Sequence, residues 1–212
     1  GSEMCIRDRF TRGEMKVERV SYDVPTPSAA RGIVESLYYH PGIRWHIRRI
    51  YVLNPIEFTT IRRNEVKSKI LGGTAMRIAQ GKEDEPYLVT TKQIVQRASM
   101  VLTNVHYVIE AEFEMLPEKA APGDNPGKFQ DIVTRRMRKG QCFSTPYFGC
   151  REFPAHFKQW EGGPIPTIDE TRDLGFMLYD FDYSDPQNIT PLYFRAKMEH
   201  GVIQVAGCEV FR

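Results

Sequence analysis

Two stretches of the chain place apolar residues at helical spacing. Thr26 and Pro27 are suited to the cap and the first position of the earlier helix. Its apolar stripe comprises Ala30, Ile33, Val34 and Leu37. The stripe of the later helix comprises Phe129, Ile132, Val133 and Met137. The spacing therefore predicts amphipathic helices at residues 26–39 and 126–139, packed on one face of an antiparallel sheet.

Apolar and polar residues alternate elsewhere, as expected for half-buried strands. The alternation that starts at Ile43 changes phase before Ile50, which predicts a bulge near Arg48 and Arg49. We expect one hairpin at residues 43–52 and 56–64, a second at 98–102 and 106–115, a strand at 174–183 and a hairpin over 192–205. This order predicts an α+β fold whose first part is a ferredoxin-like βαββαβ unit.

Other segments lack both periodicities. Residues 71–90 are rich in glycine, proline and charges, which predicts a mobile loop. Gly1 and Ser2 resemble a cloning scar, and Glu3 to Arg9 resemble the translation of a sequencing adapter. We expect this foreign segment, residues 1–9, to lie where the first strand belongs and to be poorly packed or paired only at a sheet edge.

The composition is that of an ordinary globular protein, with 41% hydrophobic and 26% charged residues among 212. The formal net charge of +2 does not by itself indicate a polyanionic partner. Cys5, Cys142, Cys150 and Cys208 form no CxxC pair, which predicts reduced thiols in a cytoplasmic protein. We find no apolar run of membrane length, no signal peptide and no metal-ligand spacing.

A basic helix followed by an aromatic segment occupies residues 125–153. Cations that track phosphates, beside aromatic rings that stack on bases, are typical of nucleic-acid-binding surfaces. The alternative is a solvated helix face that binds nothing. The cations expected to contact phosphates, on this helix and an earlier strand, are Arg62, Arg63, Arg135, Arg136, Arg138 and Lys139.

The sequence contains none of the common catalytic motifs. It has no nucleotide-binding glycine loop, no GxSxG, no HExxH and no converging carboxylates. Tyr38 at a helix end, five histidines and many cations remain. They permit cleavage of RNA by its own 2′-hydroxyl, which needs a base, a cation, an acid and no metal. A tyrosine placed like Tyr38 is nevertheless more often a packing residue.

Several longer strings resemble one protein family. They are Phe10 to Arg12 with Glu14 to Tyr22, Thr26 to Ile33, Ile61 to Val66, and Gly140 to Phe143 with Gly149 to Phe153. Through them the chain from Phe10 to about Val205 resembles the CRISPR-associated Cas-five proteins of subtype I-C (the d variant), members of the RAMP superfamily. The resemblance implies a ferredoxin-like (RRM-type) RAMP domain with hairpin insertions at residues 10–155 and a C-terminal antiparallel β-sheet extension at 156–212.

The resemblance also implies a function. This is metal-independent cleavage of precursor CRISPR RNA at the repeat hairpin, without a cofactor. The product would be held by its 5′ handle in the Cascade complex, beside other Cascade subunits and, through the complex, target DNA. The alternative is a structural Cascade subunit that caps the 5′ handle without catalysis.

The resemblance maps the family's catalytic tyrosine on Tyr38 and its lysine on Lys128, at helix ends that should approach each other. The family's histidine position holds Phe129, which cannot transfer a proton. We therefore expect RNA binding with slow or undetectable cleavage, unless His40 or His46 takes the role of the histidine.

Overall fold

A computed structural model describes residues 7–8, 10–13, 19–67, 72–82 and 93–212, which form an α+β fold. The helices in these ranges are α1 (Pro27–Leu37), α2 (Gly72–Ala79) and α3 (Pro126–Arg138), with a short 3-10 helix at Pro117–Lys119. The strands are β1 (Arg7–Asp8), β2 (Arg19–Val20), β3 (Ile43–Val52), β4 (Glu57–Val66), β5 (Ile94–Thr103), β6 (Tyr107–Met115), β7 (Arg172–Asp182), β8 (Thr190–Glu199), β9 (Val202–Gln204) and β10 (Val210–Phe211).

Both predicted helices are confirmed. The Thr26 hydroxyl accepts a hydrogen bond from the Ala29 N–H at 3.2 Å, and the Asn125 side chain accepts one from the Lys128 N–H at 2.9 Å. These bonds satisfy amides that a helix start leaves unpaired. The first helix ends at Leu37, slightly before the predicted boundary, because Tyr38 already has extended backbone angles.

The larger sheet carries the hydrophobic core. In it β3 pairs with β6 and β9, and β8 pairs with β7, β9 and β10, all antiparallel. Ile43 and Trp45 of β3 face Phe129 and Val133 of α3, while α1 packs on β3 and β7. The prediction that both helices pack on one antiparallel sheet is therefore confirmed.

The pairings predicted for the first two hairpins are wrong, although their strands lie where expected. The predicted hairpin over 192–205 is confirmed, because β8 pairs with β9. β3 pairs with β6, from Ile43 opposite Met115 to Val52 opposite Tyr107, and β4 pairs with β5. A register shift between Ile47 and Arg49 is the predicted bulge. Alternation identifies the face that each strand buries but not the strand beside it, so the sequence pattern could not decide the pairing.

These four strands form one long, bent β-ribbon that passes from one sheet into the other. At the bend, the Leu53 N–H donates to the His106 carbonyl at 3.0 Å, and the Asn54 amide donates to the Asn104 carbonyl at 2.7 Å. The smaller sheet contains β4 and β5, with β1 antiparallel and β2 parallel to β5. The ribbon thus links the core to the cationic strand β4.

Two segments were predicted to be irregular or poorly packed. The first contains a helix, and the second is only partly described. The expected loop at 71–90 contains α2, because the helix formers that follow Gly73 outweigh the two glycines at its start. In the segment predicted to be foreign, Arg7 and Asp8 pair with Thr103 and Leu102. Residues 1–6 and 9 lie outside the described residues, so the packing of this segment stays a prediction. No helix in the described ranges is long and apolar enough to cross a membrane.

The predicted turn at residues 199–201 joins β8 to β9. It places Gly201 in contact with the end of β3 and with the segment before β7. Its carbonyl accepts from the Val52 N–H at 2.8 Å, and its own N–H donates to the Glu170 carbonyl at 2.9 Å. Gly201 has a φ of +73°, and a Cβ there would lie 2.5 Å from the Ile168 carbonyl oxygen. A left-handed backbone and close contact therefore coincide at this residue.

We expect Gly201→Ala to lower the free energy of unfolding by roughly 2–5 kcal/mol, since a left-handed alanine and an overpacked contact both cost energy. Gly207→Ala is the matched control, because Gly207 has a φ of +75° but open space around its Cβ position. Its loss should be only about 1–2 kcal/mol. Urea denaturation of the two variants measures the difference. Equal losses would show that the contact with Ile168 does not contribute.

Candidate functional site

Tyr38 lies at the junction of α1, β3 and α3. Its side chain is only 7% exposed, and its carbonyl accepts a hydrogen bond from the Trp45 indole at 3.1 Å. The Arg136 guanidinium lies over the tyrosine ring, 5.2 Å from its centroid, and also donates to the Leu37 carbonyl at 3.1 Å. The end of α1 is therefore fixed by both the sheet and α3.

Phe129 is a core residue. It is fully buried, with its ring centroid 4.8 Å from that of His40, 6.1 Å from that of Tyr38 and 6.3 Å from that of Phe113. The site that the family resemblance assigns to a histidine thus holds an apolar ring that joins α3 to the end of α1. No proton can be exchanged at this position.

Lys128 points outward beside Phe129 and is held by Asp124. The lysine Nζ donates to Asp124 Oδ1 at 2.8 Å, and the Ala121 N–H donates to Oδ2 at 2.8 Å. The aspartate side chain is 2% exposed, whereas that of Lys128 is 48% exposed. A nearly buried carboxylate therefore positions a solvent-accessible ammonium group.

His40 completes the cluster. Its Nε2 lies 3.8 Å from Asp124 Oδ2, its Nδ1 accepts a hydrogen bond from the Gly42 N–H at 3.0 Å, and its ring stacks on that of Tyr38 at 6.4 Å. Since Nδ1 is an acceptor, the neutral ring carries its hydrogen on Nε2, toward the aspartate. The structure thus gathers Tyr38, His40, Asp124 and Lys128 at one site.

The charge states of this site follow from its contacts. Burial raises the pKa of Tyr38, an effect that the nearby Arg136 cation opposes. The hydrogen bond from Lys128 to Asp124 lowers the pKa of the aspartate and raises that of the lysine. Near neutral pH the site therefore holds a neutral phenol, a carboxylate and an ammonium group. A neutral phenol is better suited to orienting a hydroxyl by a hydrogen bond than to deprotonating it.

The other candidate histidine lies elsewhere. Trp45 faces the core, so the next residue, His46, faces the opposite side of the sheet. There its Nε2 lies 3.1 Å from Glu114 Oε2, in a row of exposed ion pairs. His46 is therefore separated from Tyr38 by the sheet itself. Among the described residues no cluster of three or more metal-ligating side chains occurs.

The six predicted phosphate-binding cations do not form one equivalent set. Arg135 and Arg138 on α3 and Lys139 directly after it are exposed, and no ion pair to any of them occurs within the described ranges. Arg136 is occupied with Leu37 and Tyr38. On β4 Arg62 is exposed, whereas Arg63 pairs with Glu152 and lies over Phe153. Their contacts with RNA stay predictions.

Sequence reasoning assigned no role at this site to Asp124, which the structure places between His40 and Lys128. His40 and Asp124 are far apart in the chain, and no local pattern links them. The only sequence signal was the position of His40 just after the tyrosine pair at the end of a helix.

Comparisons with known sequences give a consistent family assignment. Residues 8–206 match the sequence model of a family described as "CRISPR-associated protein (Cas_Cas5)", Cas_Cas5d. A protein of Mannheimia succiniciproducens named "CRISPR pre-crRNA endoribonuclease Cas5d" is 45% identical over 203 residues, which cover 92% of this chain and 89% of that protein. A Thermus thermophilus protein of the same name is 35% identical, with coverage of 92% and 86%.

Solved structures share the fold. A crystal structure described as a CRISPR-associated protein aligns with a TM-score of 0.67 and 22% identity, covering 98% of this chain and 93% of that chain. The protein SMU1763c of Streptococcus mutans, described as functionally uncharacterized, aligns with a TM-score of 0.66, 21% identity and the same coverage.

The Asp124 carboxylate should stabilise the protein in a pH-dependent way. Because its pKa is lowered in the folded state, its contribution is present above the unfolded pKa of about 4 and is lost as the pH falls through the folded value. Asp124→Asn should therefore lower the melting temperature at pH 7 and lose this difference from the wild type at strongly acidic pH. Asp131→Asn, at an exposed position of the helix α3 that follows Asp124, is the control. A pH-independent difference would contradict the ion-pair interpretation.

Proposed function

The chain belongs to the CRISPR-associated Cas5d family, and from this premise we propose that it binds precursor CRISPR RNA and cuts it at a site formed by Tyr38, His40 and Lys128. The observation that carries the proposal is the convergence of these three groups around Asp124. The names of the two curated relatives, both pre-crRNA endoribonucleases, support the choice of substrate.

The finer architecture and the assembly belong to the same proposal. Residues 10–155 form a ferredoxin-like RAMP domain, residues 156–212 form its β-sheet extension, and residues 1–9 replace the native first strand. The placement of α1 and α3 on one face of an antiparallel sheet supports the ferredoxin-like architecture. In the cytoplasm, the protein retains the 5′ handle of its product and joins other Cascade subunits, and through them reaches target DNA.

The cleavage reaction uses the 2′-hydroxyl of the RNA as the nucleophile. Its oxygen bonds to phosphorus, the bond from phosphorus to the 5′-oxygen breaks, and the products are a 2′,3′-cyclic phosphate and a 5′-hydroxyl. Lys128 stabilises the charge that develops on the phosphate, and the neutral Tyr38 hydroxyl orients the nucleophile by a hydrogen bond. Both roles agree with the charge states of the free site.

His40 supplies the proton transfer that Phe129 cannot. In the free protein its Nδ1 is occupied by the Gly42 N–H, so the 2′-hydroxyl proton reaches this atom when that bond opens. The resulting imidazolium faces the Asp124 carboxylate, which stabilises the positive charge. The imidazolium then returns the proton to the 5′-oxygen as it leaves, so the net proton count is unchanged.

The alternative, a structural subunit that caps the 5′ handle without cutting, is favoured by one observation. Phe129 is fully buried at the position assigned to the family's histidine, and it packs against the very ring that we assign to proton transfer. Cleavage by the wild-type protein decides between the two functions, since both require RNA binding.

We expect His40→Ala to reduce cleavage of repeat RNA by about 10²–10⁴-fold, the usual contribution of one acid–base group. Labelled RNA is incubated in EDTA, and the 2′,3′-cyclic phosphate product is quantified. Added imidazole should partly restore the activity of His40→Ala, which loss of packing alone would not permit. His46→Ala is the control and should cut like the wild type. Full activity of His40→Ala would contradict the role of His40, and an inactive wild type that still binds RNA would establish the structural alternative.

The exposed cations of α3 should contribute to RNA affinity through phosphate contacts. Arg135→Glu and Arg138→Glu should each weaken binding of the repeat hairpin and reduce the slope of log affinity against log salt by about one unit. Arg136 is unsuitable for this test because its substitution would also release Tyr38. Arg44→Glu is the control, since Arg44 is exposed on the opposite face of the larger sheet. Affinities of both α3 variants equal to that of Arg44→Glu would indicate a solvated helix face.

A further inference from the structure

An open groove of about 510 Å³ runs along the exposed side of α1. The other walls are the segment at residues 143–149 and the end of β7. Its aromatic lining residues are 39–68% exposed, and they are Tyr39, Phe143, Tyr147, Phe181 and Tyr183. The proposed cleavage site uses none of these side chains. So many exposed rings around one groove indicate a ligand that presents flat apolar surfaces.

We propose that this groove binds unpaired nucleotides of the RNA next to the cleavage site, with Tyr39 and Phe143 as the stacking platform for a base. This inference rests on the function proposed above and adds a binding site to it. Aromatic rings stack on any base, because every base has a π face.

The position of the platform follows directly from the structure. Tyr39 is the residue after Tyr38, so the platform adjoins the segment that carries the tyrosine of the proposed cleavage site. The ring centroids of Tyr39 and Phe143 are 6.2 Å apart with a 38° tilt. A base inserted between two rings needs a separation of about 7 Å, twice the usual contact distance. A small rotation of the exposed Phe143 ring provides this spacing.

The backbone beneath the platform is held firmly. The Phe143 and Ser144 N–H groups both donate to the Ser36 carbonyl, at 2.8 and 3.0 Å, and thereby attach the aromatic segment to α1. Phe143 is nevertheless 68% exposed as a residue and Tyr39 is 55% exposed. The rings are thus presented to solvent from a fixed backbone, an arrangement that limits the entropy lost on binding.

The distribution of charge favours a nucleic acid over a protein segment as the occupant. Inside the groove Arg31 is bound by Asp180 and Glu35, each at 2.8 Å, so it offers no free cation for phosphate. The exposed cations lie at the end of α3, just before the aromatic segment. Phosphates therefore follow α3 while the bases turn into the groove, as in other proteins that bind single strands.

The test uses repeat RNA in which the unpaired nucleotides that flank the hairpin are replaced, one at a time, by the fluorescent base 2-aminopurine. With the wild-type protein, we expect quenching at one or more positions, because stacking quenches this fluorophore. Phe143→Ala should abolish that quenching and weaken RNA affinity by about 5- to 150-fold, the effect of one lost stacking contact. Tyr39→Ala should act in the same direction.

Phe176→Ala is the matched control, because Phe176 is 59% exposed and contacts another ring, that of Phe211 at 5.5 Å, but does not line the groove. It should bind and quench like the wild type. With RNA that is abasic at the quenched position, Phe143→Ala should cause no further loss of affinity. Melting temperatures of the variants verify that they are folded.

The outcomes separate the two proposals. If the wild type binds repeat RNA but no position is quenched, or if Phe143→Ala and Tyr39→Ala bind like Phe176→Ala, the stacking site is wrong and the groove faces a protein partner instead. If the wild type does not bind repeat RNA at all, the proposed function is wrong and this inference falls with it.

Discussion

The burial of Phe129 is the contact on which the candidate site depends. Its ring packs against Tyr38, His40 and Phe113, and so joins α3 to the end of α1 and to the sheet. Loss of such a buried ring typically costs about 3–5 kcal/mol. Because Phe129 points inward, the preceding Lys128 points outward, where Asp124 holds its ammonium group. An apolar residue without any chemistry of its own thus sets the geometry of the reactive groups around it.

Electrostatics then divides the cations into two kinds. Arg136 and Arg63 are held by contacts within the protein, Arg136 against Tyr38 and Arg63 by Glu152. Arg135 and Arg138 remain exposed on α3. Exposed charges bind a polyanion without first giving up an internal partner, whereas paired ones must exchange one contact for another. A count of charges along α3 does not distinguish Arg136 from Arg135 and Arg138. Their contacts show that Arg136 has a structural role, whereas the other two are available to a ligand.

The long β-ribbon places these surfaces relative to one another. Its β3 and β6 portions form part of the sheet under α1 and α3, and its β4 and β5 portions continue into the smaller sheet. The pair between Arg63 and Glu152 ties β4 back to the segment that follows α3. The aromatic groove, the basic helix and the cationic strand are therefore all connected through residues 140–155.

The sequence by itself determined the two predicted helices, the cap of the first, the positions of the longer strands and the bulge near Arg48, because each depends on local periodicity or on side-chain bonds to neighbouring amides. The family resemblance pointed to Tyr38 and Lys128, and the structure brings them to one site. Only the tertiary structure decided which strands pair, since one alternating pattern fits several partners equally well. It also decided that His40 and not His46 lies beside Tyr38, and that Asp124 links His40 to Lys128. The contact between His40 and Asp124 joins residues far apart in the chain, so it depends on packing and is not encoded by the local sequence.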